Sequence, residues 1–132
     1  MPITALYAGL LVALFISLAI RVIRARRGAR VALGDGGNTD LLRRMRVHAN
    51  FAEYVPLALV LMALAESLQT EARLIHGLGI VLVSGRVVHA FGMSQAKENI
   101  LLRVIGVAAT FTVLLMAAAA CIFGSFQRSF GL

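Results

Sequence analysis

Charged and amide side chains recur along Arg43, Arg46, Asn50 and Glu53 at steps of three, four and three, a spacing that gathers them on one face of a helix. Arg86 and His89, three apart, share a face in the same way. Arginine grips carboxylates through paired hydrogen bonds and favours a neighbouring thiol in its ionised form. Neither a serine nor a cysteine nucleophile stands beside a base in this set, since Cys121 lies far along the chain. His89 with Glu53 and one more ligand makes only a thin metal site, because His48 falls off the Asn50/Glu53 stripe. What such a cluster suits is reception of an anionic, carboxylate-bearing molecule, above all one carrying a thiol.

The elements that must position these groups are membrane helices. The chain has 132 residues, of which 60% are hydrophobic and 14% charged, whereas soluble domains carry about a quarter charged residues. The apolar excess is too large for one buried core, so part of it faces lipid. Residues 3–20 and 104–123 carry no charge, and each run suffices to cross about 30 Å of hydrocarbon. Two further spans, near residues 47–65 and 74–93, carry His48, Asn50, Glu53, His76, Arg86 and His89, groups that a lipid-facing helix avoids. The expected fold is an all-α membrane protein, a single up-down antiparallel bundle of four transmembrane helices over about 3–24, 41–67, 72–93 and 99–124.

The connections follow from composition. Three glycines with Asp35 and Asn38 mark an irregular first loop, and Asn38, Thr39 or Asp40 suits the N-cap of the second helix. Residues 66–73 read as a short polar turn and 92–99 as the third connection. Pro56 inside the second helix frees the carbonyl of Ala52 and favours a kink. Gly77, Gly79, Ser84, Gly85 and the alanines at 117–120 are small enough for close helix packing.

Charge sets an orientation. Lys and Arg number 13 against 6 Asp and Glu, a net +7, and eight of the basic residues fall between Arg21 and Arg46. Beside hydrophobic spans this marks a cytoplasmic face, with both termini outside. Arg21, Arg24, Asn50, Arg86 and Arg103 would then share one level. The first span has no basic stretch before it and arginines after it, so it reads as retained rather than cleaved. No aromatic residues interleave with the arginines, which argues against nucleic acid as the partner.

The segment RMRVHANFAEYVPLAL, with Arg46, Asn50, Glu53 and Pro56 in the pattern Arg-x-x-x-Asn-x-x-Glu-x-x-Pro, resembles the second-helix signature of the MAPEG family, the membrane-associated proteins in eicosanoid and glutathione metabolism. GRVVHAFG and LLRVIG resemble the end of that family's third helix and the start of its fourth. The resemblance implies a homotrimer, with glutathione held between subunits at the cytosolic side and a lipophilic small-molecule substrate arriving from membrane lipid. It implies a glutathione transferase or peroxidase in which Arg24, Arg46, Asn50, Glu53, Tyr54 and His89 bind the cofactor. Arg43 and Arg86 would support them from behind, and Arg103 would stabilise the thiolate. Ala49, Phe91, Met93 and Val104 depart from residues that several members carry, which weakens a prostaglandin-synthase reading. A non-catalytic trimer binding lipid or an anionic ligand stays open, as does, more remotely, a small four-helix transporter using Glu53. The arginine-rich composition, with one lysine, suits a bacterial inner membrane protein.

Overall fold

A computed structural model describes residues 1–95 and 97–131, which form four helices: α1 (Pro2–Ala29), α2 (Thr39–Ser67), α3 (Ala72–Ser94) and α4 (Ile100–Phe130). All four are long and apolar enough to cross a membrane. Cross-contacts fix their directions. The end of α2 meets the start of α1 through Glu66 and Thr4. The end of α1 meets the end of α3 through Arg21 and Ser94. The start of α2 meets the end of α3 through Asn50 and Arg86. Neighbours in sequence therefore alternate in direction, and α1, α2 and α4 pack around α3, while α1 and α4 do not touch among the described residues. Leu11, Phe51, Val55, Met62, Ile75, Leu82 and Val113 are buried along the middle of the bundle.

Two helices run past their expected ends. α1 continues from Arg24 to Ala29, where Ala25, Arg26, Arg27 and Ala29 are good helix formers that outweigh Gly28, and Arg26 and Arg27 sit favourably at the negative end of the helix dipole. It stops at Arg30, whose φ of 53° is left-handed. α4 continues to Phe130 because Gly124 is used for packing against Leu68 rather than as a stop. Gly131, with φ 67°, closes that helix instead. Asn38 is the cap of α2, accepting from the Leu41 N–H at 2.9 Å, and Asn99 caps α4 in the same way through the Leu102 N–H at 3.1 Å. α2 stays helical through Pro56.

α2 ends at Ser67 and α3 begins at Ala72, as the expected spans have it, so the polar segment 66–73 is partly helix end and partly turn. The consequence is structural. α1 opens on Met1 and Pro2 with no side-chain cap of its own, which leaves its first N–H groups without partners. Glu66 supplies them from the neighbouring helix, accepting from Ile3 N at 3.0 Å, Thr4 N at 2.9 Å and Thr4 Oγ1 at 2.7 Å. Its carboxylate also faces the terminal ammonium at 3.9 Å and the positive end of the α1 dipole.

Close packing at the other end depends on glycine. A β-carbon on Gly106 would fall 2.6 Å from the Gly85 carbonyl oxygen, and one on Gly85 would fall 2.8 Å from the Ala109 β-carbon, so α3 and α4 meet backbone to backbone there. Gly79 lies under the Tyr7 ring. Gly77 and Ser84, expected at packing positions, are exposed in the single protomer.

Glu66→Ala should lower the unfolding free energy by about 1–3 kcal/mol, because buried donors lose their acceptor. Thermal or denaturant unfolding in detergent reads this, and Thr4→Val should cost less in the Glu66→Ala background than alone.

Candidate functional site

The polar residues of α2 divide between two surfaces. Asn50 turns inward and is half-buried, whereas Arg46 and Glu53 are exposed and make neither a hydrogen bond nor an ion pair with any described residue. Arg43 is half-buried and Tyr54 packs its ring on Phe111 of α4 at 5.4 Å between centroids.

Arg86, expected behind the ligand-binding residues, is instead the hub of a buried network. It is 1% exposed, and its partners come from three helices. Nη2 donates to Asn50 Oδ1 at 2.7 Å and to His89 Nδ1 at 3.0 Å. Nη1 donates to Thr110 Oγ1 at 3.2 Å, and Thr110 in turn donates to the Gly106 carbonyl at 2.9 Å. The Phe51 ring lies 5.8 Å from the guanidinium carbon, close enough for a cation–π contact. Because a guanidinium only donates, His89 must offer Nδ1 as an acceptor, which puts its proton on Nε2. Every one of these partners is neutral. Among the described residues no carboxylate pairs with Arg86, and its Nε has no partner at all. Hydrogen bonds to a charged group are worth about 1.5–3 kcal/mol each, so the neutral set offsets much of the cost of burying the cation, and the local field stays positive.

The remaining candidates sit around this hub. His89 is 1% exposed, so in the protomer it faces Arg86 rather than open space. Arg103 lies at the start of α4, paired with Glu98 at 2.8 Å and with about half of its side chain exposed (49%). It lines an open groove of about 450 Å³ along α4 together with Ile100, Val104, Val107, Ala108 and Phe111. Arg24 is exposed near the end of α1 without an ion-pair partner among the described residues. Arg21 donates to Ser94 Oγ at 2.8 Å and so ties α1 to the end of α3. The structure therefore joins Asn50, Arg86 and His89 directly and leaves Arg24, Arg46, Glu53 and Arg103 on open surface at the same end of the bundle.

Two participants were missed by sequence reading. Thr110 is one of two hydroxyls in an otherwise apolar run, and it lies four residues from Gly106 and seven from Arg103, which puts all three on one face of α4. Glu98, assigned only to a connection, holds Arg103.

Four membrane-length helices with a buried arginine network and a basic end define an integral membrane protein. The sequence profile of the MAPEG family matches residues 4–123, and the chain belongs to that family. It is 39% identical over 114 residues to the inner membrane protein YecN of Escherichia coli strain K12, covering 86% of each chain. The similarity to YecN of E. coli O6:H1 is the same, 39% identity with 86% of each chain covered.

Asn50→Ala should destabilise the protein by about 1–3 kcal/mol by stripping an acceptor from a buried cation. The same change in an Arg86→Met background should cost about 1–2 kcal/mol less, since the charge that needed it is gone. A double-mutant cycle of unfolding in detergent measures the difference.

Proposed function

We propose that this protein is a membrane-bound, glutathione-dependent transferase or peroxidase acting on lipophilic electrophiles or hydroperoxides. In this reading it works as a homotrimer in a bacterial inner membrane, with its basic end towards the cytoplasm and its termini on the other side. The observation that carries the reading is the exposure of Arg46 and Glu53 on the outer face of α2. Glu53 lies about 9 Å inside the start of the apolar span, six residues at the α-helical rise. A carboxylate facing lipid at that depth costs a few kcal/mol. A second copy laid across this face, with a polar zwitterionic ligand between the two, removes that cost.

Glutathione has the complementary groups: two carboxylates for Arg46 and for Arg24, an amino group for Glu53, and a thiol for Arg103. Tyr54, with its ring braced on Phe111, borders the same space. Asn50 and His89 act from inside, holding Arg86 so that its positive field reaches the ligand. The Arg103–Glu98 pair does not block this role. As a half-exposed ion pair it is worth about 0–1 kcal/mol, small enough for a thiolate to displace Glu98. The groove of Ile100, Val104, Val107, Ala108 and Phe111 then offers an apolar seat beside the sulfur, open to substrates dissolved in the bilayer.

The chemistry needs little more than a stabilised thiolate and proximity. With an aryl halide, the sulfur forms a bond to the ring carbon and halide leaves, the thiol proton having passed to water. With a hydroperoxide, the thiolate attacks the terminal oxygen and an alcohol leaves. A second glutathione then displaces hydroxide from sulfur, giving the disulfide and water.

Purified protein supplied with glutathione and either 1-chloro-2,4-dinitrobenzene or cumene hydroperoxide should turn over. Arg103→Ala should lower the rate by about 10²-fold, the usual cost of removing one preorganised donor from a developing anion. Its pH–rate profile should also move to the alkaline side, because the bound thiol then ionises less readily. Equal rates for wild type and variant would sink the assignment of Arg103.

A further inference from the structure

The outer face of α1 carries a feature that the glutathione reading does not use. Val12, Ile16, Ile20 and Ile23 are 52%, 50%, 40% and 48% exposed. Their spacing of four, four and three places them on one stripe. The stripe continues by four residues to Arg27, and Arg30, the left-handed cap that ends the helix, follows just beyond; both are exposed. α1 packs on α2 and α3 only, so no helix of the protomer covers this face among the described residues.

Arg27 and Arg30, like Arg24, have no polar partner inside the fold among the described residues, whereas several other basic residues at this end do. Arg21 is tied to Ser94. Arg26 braces the loop, donating to the carbonyls of Ala32 at 3.3 Å and Gly34 at 2.8 Å. Arg44 pairs with Asp40 at 2.8 Å. The side chains of Arg27 and Arg30 have neither a hydrogen-bond nor an ion-pair partner among the described residues, and with Arg26, Val31 and Ala32 they line a recess of about 360 Å³. In the loop that follows, the apolar side chain of Leu33 is 92% exposed.

The spacing matches a phospholipid. Arg27 stands about 6 Å beyond Ile23 along the axis, four residues at the helical rise. The headgroup layer of one leaflet is about 5–7 Å deep beyond the hydrocarbon. We propose that this stripe is a binding site for an anionic phospholipid, with an acyl chain along Val12, Ile16, Ile20 and Ile23 and the phosphate held between Arg27 and Arg30. Charge complementarity selects the occupant: two free guanidinium groups suit a headgroup with net negative charge over a zwitterionic one, whose own cation would meet them. A second copy of the chain does not fit as well, because its acidic residues number only 6 against 13 basic ones.

The test is native mass spectrometry of the full-length protein titrated with phosphatidylglycerol or phosphatidylcholine in a neutral detergent at low salt. Phosphatidylglycerol should bind several-fold more tightly. Arg27→Gln with Arg30→Gln should weaken it by about fivefold per arginine, the interaction of one basic residue with an anionic lipid surface, while the melting temperature in lipid-free detergent stays unchanged. Arg73→Gln, at the opposite end of the bundle, should leave the preference intact. Equal binding of the two lipids overturns the proposal, as does an undiminished preference in the double variant. So does an equal loss in Arg73→Gln, which would mean bulk charge rather than a site. Competition by inorganic phosphate alone, at concentrations matching the lipid, would assign the arginines to a free anion instead. Loss of oligomer in the double variant would assign the stripe to contact between copies.

Discussion

A guanidinium buried inside a membrane protein, with no carboxylate against it among the described residues, is the constraint around which this bundle is arranged. Arg86 must be solvated by the protein itself, and three helices share in solvating it, through Asn50 from α2, His89 from its own helix α3, and Thr110 from α4. Reaching Thr110 requires α3 and α4 to approach closely, which Gly85 and Gly106 permit. The small residues and the polar network are therefore one device. Replacing the neutral partners by an acid would satisfy the cation more fully, yet it would also cancel the positive field on which the proposed binding of an anionic ligand relies.

The same constraint explains why Glu53 of α2 points outward. Asn50 and Glu53 are only three residues apart, and the fold uses the amide for the interior and leaves the carboxylate, with Arg46, on the outer face. In a lone protomer that face is costly. In the proposed assembly it becomes one wall of a site shared with a second copy, where a zwitterionic tripeptide meets one cation and one anion on the same helix. The far end of the bundle works by contrast as a plain fastening: Glu66 closes the uncapped start of α1 and sets the position of the helix whose other end carries the free arginines.

Much of this was legible in the sequence because a bilayer reduces the problem. Uncharged runs of membrane length define α1 and α4, and steps of three and four group Asn50 with Glu53 and Arg86 with His89. The family, too, is carried by residues that recur at fixed spacing, from Arg46 to Pro56. What spacing does not show is which side of a stripe turns inward. Arg86 and His89 share a face whether they line a ligand or bury themselves, and only packing against Thr110 and Phe51 decides it. Helix ends were missed for a similar reason. The uncharged run that defines the fourth span ends near residue 123 although the helix does not, and Glu66 looks like a turn residue until the bare start of α1 is placed beside it.

Everything proposed for the site stands on glutathione binding to the outward face of α2. Melting of the detergent-solubilised protein, followed with and without glutathione while native mass is recorded, tests it. A trimer whose melting temperature rises with glutathione, with the rise abolished by Arg46→Ala and by Glu53→Gln, is the predicted result. A monomer, or an oligomer whose melting is indifferent to glutathione, would contradict it.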